Sequence, residues 1–459
     1  MMNFLAINWS QVGLQAGYLI FSLSILVILH EFGHYITAKW FKCRVEKFYL
    51  FFDPWFSIVK KKVGETVYGI GWLPLGGYVK IAGMVDESMD KEAMRQPPKP
   101  WEFRSKPAWQ RLIIMLAGVI MNVLFAFFLY AMILFTWGEK KLPIKNVTNG
   151  IWFTDSIFIK EGLKNGDKIL AVDDEPIEFF DNIPAKMLLG KTVKYERDGQ
   201  QMEMTLPKDL LGKLIEQKGK QNALMVPRVP VIIGGFNEDT SHAKKSGLKV
   251  GDRIVAIDST PTQFFDEIAP LLNAKKNDTA VISFFRSEQP MQTKVLVDKE
   301  GKIGFAIMDM DQLDSIGILK HVTTKYSFFG SFPAGVSKAG QKLNFYVQQF
   351  KMILNPSTGA YKGLGGFKGM ASIFPKNEWN WEVFWNITAF FSIVLAFMNL
   401  LPIPALDGGH VLFTLIEMVT GRKPSDKFLE YAQIAGMIFL FALMLYANGN
   451  DWFGWGRNK

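Results

Sequence analysis

The stretch VGLQAGYLIFSLSILVILHEFGHY, residues 12–35, is apolar for long enough to cross a bilayer, and it ends on His30-Glu31-Phe32-Gly33-His34. Ionisable groups are costly inside such a segment and mark function when they occur there. Residues four apart on a helix share a face, so His30 and His34 present two imidazoles side by side, with Glu31 next to them. Two imidazoles can hold a zinc ion, and a neighbouring carboxylate can take a proton from its water. The chain has only 5 histidines, so chance yields this pattern on the order of 0.003 times. The bland alternative is a pair of buried histidines bonded to a neighbouring helix. It leaves Glu31 in hydrocarbon without a partner.

Hydrophobic residues make up 49% of the 459 residues, and phenylalanine alone contributes 39. This suits a chain that is part membrane and part aqueous. The formal net charge is +9, but the basic residues do not form one stripe. They concentrate just after the first apolar run, at Lys39, Lys42, Arg44, Lys47 and Lys60-Lys61-Lys62. That is the pattern of a cytoplasmic loop, and nucleic acid is not an expected partner. The single Cys43 excludes an intrachain disulfide and a cysteine-built zinc site. No basic residue precedes the first run and no small-residue cleavage site follows it, so it reads as a retained helix rather than a cleaved signal peptide.

Four runs reach membrane length, at about 12–36, 109–137, 383–403 and 429–447. Trp109, Trp137, Trp379, Trp381, Trp385 and Trp452 cluster near their ends, as an aromatic belt requires. The loop 37–111 is basic, and 404–428 carries Arg422, Lys423 and Lys427. Both therefore face the cytoplasm, which puts the termini and the long 138–380 segment on the other side. The expected architecture is a multi-pass α-helical membrane protein of four transmembrane helices, with its middle segment inserted between helices 2 and 3. Residues 1–137 and 381–459 form the membrane core.

The middle segment repeats. GLKNGDKILAVD at 162–173 recurs as GLKVGDRIVAID at 247–258, and Phe179-Phe180-Asp181 recurs as Phe264-Phe265-Asp266. The offset from Gly162 to Gly247 is 85 residues, one small domain. A Gly-x-x-x-Gly-Asp stretch followed by apolar alternation reads as a turn feeding a strand. Two tandem β-rich modules follow, 138–222 and 223–310, with their boundary near Lys218-Gly219-Lys220. Both copies resemble the strand signature of PDZ domains, so the fold expectation is two tandem PDZ-like α+β domains. Such domains bind extended peptides, often at a free C-terminus, by strand addition. The other reading is that the modules only pack and space. Residues 311–380 form a connecting region in which Phe345–Ile353 reads as an amphipathic helix at the membrane surface.

Two histidines leave zinc one protein ligand short. His242 and His321 lie in the translocated segment. Asp407 follows Asn399-Leu400-Leu401-Pro402-Ile403-Pro404-Ala405-Leu406 and precedes Gly408-Gly409, so its carboxylate sits where the third run breaks. An aspartate at membrane depth without a cation is expensive. Asp407 is the expected third ligand, against the competing reading that it caps the helix starting there. His410 reads as a neighbour of the site rather than a ligand.

His30-Glu31-x-x-His34 together with the pattern of Asn399, Pro402, Asp407 and Gly408 resembles the bacterial site-2 proteases, intramembrane zinc metalloproteases of the regulator of sigma-E protease type. The resemblance implies zinc on His30, His34 and Asp407, with Glu31 and Asn399 as catalytic residues and Asn399 near the scissile carbonyl. Gly69–Lys80 (GIGWLPLGGYVK) resembles the family's re-entrant β-hairpin, expected here at about 63–84, and Ala117-Gly118-Val119-Ile120-Met121-Asn122 resembles its second-helix signature. Gly365-Gly366-Phe367-Lys368-Gly369 departs from the family's G-G-P-x-G by lacking the proline. The implied activity is cleavage of a transmembrane segment in regulated intramembrane proteolysis, on a site-1-cleaved anti-sigma factor or a remnant signal peptide. The implied place is the bacterial inner membrane, with the active site near the cytoplasmic side. The alternatives are a PDZ-based scaffold or chaperone-like binder with a silent metal site, and a metal transporter.

Overall fold

The computed structural model describes residues 8–84, 97–216, 223–237 and 241–456. It divides into two compact units. One comprises Met1–Gly138, Lys325–Pro356 and Ala360–Lys459; the other comprises Glu139–Thr324 and Ser357–Gly359.

The first unit opens with helix α1, Trp9–Trp40, which begins where the Asn8 side chain accepts the Gln11 backbone N–H. A long hairpin follows, β1 (Val45–Val63) against β2 (Thr66–Ile81). Helices α2 (Ala108–Thr136), α3 (Phe328–Leu354), α4 (Phe367–Ser372), α5 (Trp381–Leu400), α6 (Asp407–Thr420) and α7 (Asp426–Phe453) complete it. Among the described residues, four helices are long and apolar enough to cross a membrane: α1, α2, α5 and most of α7. The third ends at Leu400 rather than at 403, because Pro402 and Pro404 have no N–H to continue the ladder.

Helices α1 and α2 cross closely. A Cβ on Gly33 would lie 2.4 Å from the Ala117 carbonyl oxygen, so only glycine fits at that crossing. Lipid-embedded helices gain by such approach, since apolar area alone does not drive them together. Further along α2, Ala126, Tyr130 and Ile133 pack with Ala339 of α3 and with Ala389 and Ile393 of α5.

Helix α3 corrects the sequence reading. The expected short surface helix at 345–353 is the end of a 27-residue helix. Its buried face in the first half is Ser331, Gly335 and Ala339. Further on, the Tyr346 ring meets Phe390 and Phe397, and the Phe350 ring meets Phe397. Small residues carry no hydrophobic period, so the first half is silent to a search for apolar faces.

The hairpin is also longer than the expected 63–84 and begins at Val45. Lys47–Leu50 has neighbours on both sides: Leu50 is in register with Gly77 and with Ile70, while Val63 faces Thr66 across the turn. Lys60-Lys61-Lys62 lies within β1, so what reads as a charged loop is half of a strand pair.

The glycine-rich departure is held from α7. Asp451 Oδ2 accepts from Gly366 N and Gly369 N, both at 2.8 Å, and Asn448 Oδ1 accepts from Phe367 N at 3.2 Å. A proline at 367 would have no N–H to give. Here the Phe367 amide supplies a tie to α7 in its place.

In the second unit the sequence repeat is a structural repeat. One four-stranded sheet runs, in spatial order, Glu175–Pro176, Lys168–Val172, Thr192–Arg197 and Gln200–Thr205. The other runs Thr260–Pro261, Arg253–Ile257, Thr279–Arg286 and Gln289–Leu296, the same order. The Gly-Asp step has one role in both. Arg197 grips Asp167 through Nε at 2.8 Å and Nη2 at 2.7 Å, and Arg286 grips Asp252 at the same two distances. Each aspartate is 1% exposed. Removing the arginine from either pair leaves a buried carboxylate without its ionic partner, which is destabilising. The unit's two ends meet where Val322–Thr324 pairs with Glu139–Lys141. The expected module boundary at Lys218–Lys220 lies outside the described residues.

Candidate active site

His30 and His34 are one helical turn apart on α1 and both are buried. Asp407 arrives from the start of α6. His30 Nε2 lies 3.1 Å from Asp407 Oδ2, His34 Nε2 lies 3.2 Å from the same oxygen, and the two Nε2 atoms are 3.2 Å apart. These three side chains form the one candidate metal-holding group found among the described residues.

The protonation pattern shows why a cation belongs there. His34 Nδ1 donates to the Ile114 carbonyl oxygen at 2.8 Å, which leaves the lone pair on Nε2. That lone pair faces a carboxylate oxygen and a second imidazole nitrogen. Asp407 Oδ2 is buried without a hydrogen-bond partner. Three electron-rich atoms at this spacing repel unless a positive charge lies among them. Tetrahedral zinc with bonds of about 2.0–2.1 Å places its ligand atoms about 3.3 Å apart, so the observed triangle and the two-nitrogen, one-oxygen donor set fit zinc with its fourth position open.

Asp407 is not the helix cap. Leu406 occupies the cap position of α6 with no side-chain cap bond, and Asp407 is the first helical residue. Its carboxylate therefore points away from cap duty and toward the imidazoles. Gly408 makes this possible: a Cβ there would lie 2.2 Å from the Leu401 carbonyl oxygen, so α6 starts folded back on the loop that leads to it.

Two groups of α2 complete the surroundings. Asn122 Nδ2 lies 3.2 Å from His30 Nδ1, and Asn122 Oδ1 is buried without a partner. Exchanging the two ends of this amide leaves its shape unchanged. It gives Oδ1 the Nδ1–H of His30, removes the orphan and leaves Nε2 free to bind a metal. Gly118 lies directly under the rings: a Cβ there would be 2.4 Å from His34 Nε2 and 2.7 Å from His30 Cε1. In the sequence these two residues stand out only as part of the second-helix signature. Their spacing of four, which puts Gly118 and Asn122 on one face, was the available signal. Gly118→Ala is expected to weaken zinc binding by at least about tenfold, with helix content by circular dichroism unchanged. Chelator competition checks this, and wild-type affinity would show that the imidazoles have room to shift.

Glu31, Asp407 and His410 line a cavity of about 650 Å³. The Val79 backbone N–H faces the Glu31 carboxylate. The strand Gly77–Ile81 borders the same cavity and pairs with Val45–Leu50 of β1. Asn399 Nδ2 lies 3.4 Å from His30 Nε2. His242 and His321 belong to the other unit.

A membrane-spanning bundle that gathers two histidines and an aspartate beside a glutamate, over a cavity bordered by a β-strand, has the equipment of a membrane metallopeptidase. The sequence profile of peptidase family M50, the site-2 protease family, matches residues 18–443, and this chain belongs to that family. It is a zinc metalloendopeptidase. A protein of Treponema pallidum that carries the name zinc metalloprotease is 27% identical over 94% of this chain and 96% of its own length. A Vibrio cholerae protein of the same name is 27% identical over 94% and 97%. The regulator of sigma-E protease RseP of Escherichia coli is also 27% identical, over 94% and 97%. Among solved structures, the PDZ domain of the SdrC-like protein from Listeria monocytogenes is 26% identical over 19% of this chain and 95% of its own, with a TM-score of 0.16.

Proposed function

We propose that this enzyme hydrolyses a peptide bond within a transmembrane segment, using one zinc ion held by His30, His34 and Asp407. The observation that carries the reading is the convergence of those three ligand atoms, at 3.1–3.2 Å, on helices of a membrane-spanning unit. When bound, zinc supplies Lewis acidity, which polarises the scissile carbonyl and makes water a better acid. The Glu31 carboxylate accepts the proton of the attacking water and passes it to the leaving amine. Asn399 Nδ2 donates to the oxygen that gains charge in the transition state. The strand Gly77–Ile81, which borders the cavity, pairs with the substrate once its helix has unwound, since a helical amide is closed to attack.

The site's position in a membrane-spanning unit supports a membrane-protein substrate whose spanning segment enters from the bilayer; a site-1-cleaved anti-sigma factor or a remnant signal peptide, in regulated intramembrane proteolysis, belongs to that class. The basic loops favour an active site toward the cytoplasm of a bacterial inner membrane, with the repeated modules on the other side. There the modules act on the substrate's outer portion, by taking a peptide terminus or by excluding bulk. Purified full-length protein in detergent is expected to carry one zinc per chain by elemental analysis. Chelation should abolish cleavage of a model transmembrane substrate, and zinc should restore it. Cleavage that persists in zinc-free protein would overturn the proposal.

A further inference from the structure

Between α5 and α6 the chain has to turn from the end of one helix to the start of another within six residues, and two of those six are proline. Ala405 makes the turn with φ of +87°, a conformation disfavoured for any residue with a Cβ. Within this loop, Ile403 N bonds to Leu401 O and Leu406 N bonds to Ile403 O. The Ala405 N–H is answered differently: it donates to Gln433 Oε1 of α7 at 3.1 Å. Gln433 is 5% exposed, on a helix whose Ile438, Phe439 and Phe441 are exposed. A buried amide at membrane depth is costly when unpaired, so this bond strongly favours the conformation that makes it.

Gly436 lies three residues on, on the same face of α7. A Cβ there would come within 1.5 Å of the Pro404 carbonyl oxygen. Helix α7 therefore holds the loop at two consecutive residues, by contact at Pro404 and by hydrogen bond at Ala405. Asp407 follows two residues later.

We propose that α7 positions Asp407 for metal binding through the Gln433–Ala405 hydrogen bond, which makes Gln433 a positioning residue of the peptidase. Without the acceptor, Ala405 relaxes toward negative φ. The start of α6 then rotates, and the Asp407 carboxylate leaves the two imidazoles. The inference rests on Asp407 being a zinc ligand.

The test uses full-length protein in detergent and measures zinc retention against a chelator together with kcat and KM. Gln433→Met keeps the length of the side chain and removes the acceptor. It is expected to lose on the order of tenfold in zinc affinity, as loss of an outer partner of a ligand does, and to lower kcat with KM unchanged. Adding Ala405→Gly to it should recover most of both, because glycine adopts positive φ without the penalty. Wild-type zinc affinity in Gln433→Met overturns the proposal. So does failure of Ala405→Gly to recover it, which would show Gln433 acting through packing alone. Asp407→Ala is the reference: if it keeps zinc, the ligand reading itself has failed; if it loses zinc while Gln433→Met does not, only the role of α7 has.

Discussion

Glu31→Gln is expected to reduce cleavage of a transmembrane substrate by about 10²–10⁴-fold, the usual contribution of general acid–base catalysis, with zinc content unchanged. Glutamine keeps the shape and the ability to accept from the Val79 N–H, which faces this side chain. What it loses is the ability to take a proton and return it to the leaving amine. The three proposed ligands are untouched, so the metal should stay. KM should also stay, because the apolar walls of the cavity and the strand Gly77–Ile81 that borders it are unaltered. Single-turnover cleavage alongside elemental analysis of the same preparation separates the outcomes. Retained cleavage would mean that another group moves the proton, and lost zinc would mean that Glu31 supports the ligands instead.

The parts of this site that could be read in the sequence are those with a local rule behind them. His30, Glu31 and His34 lie within one and a half turns of one helix, where spacing alone fixes which side chains share a face. Asp407 is distant in sequence, and its broken-helix setting plus the family pattern singled it out. What distinguishes it from a cap is tertiary: Leu406 holds the cap position of α6. Asn122 and Gly118 sat in a quoted motif, but their effect on the imidazoles depends on how α1 and α2 cross. Gln433 left no sequence signal, because it answers the backbone of Ala405 from another helix. The same distinction explains the fold. Apolar length found the four candidate spans, the last of which runs on to Phe453 beyond the expected 447, whereas β1 was hidden by Lys60-Lys61-Lys62 and α3 by its small-residue face.

Asp407→Ala is expected to cost at least about 100-fold in zinc affinity and to abolish cleavage with it, since one of three protein ligands is gone and not merely an outer partner of one. The rival expectation is specific. A capping aspartate would cost about 1 kcal/mol of stability on replacement and leave the metal bound. Geometry favours the first outcome: Asp407 Oδ2 has no hydrogen-bond partner and lies within 3.2 Å of both imidazole nitrogens. Asp407→Asn refines the result. The amide oxygen keeps a donor atom in place but removes the negative charge, so zinc affinity should fall between wild type and Asp407→Ala. If both variants lost zinc equally, charge neutralisation would outweigh donor geometry in holding the ion. If Asp407→Ala retained zinc and only melted earlier, the two histidines would need another partner from within the same cavity, and His410, which lines it one turn further along α6, would be the residue to replace next.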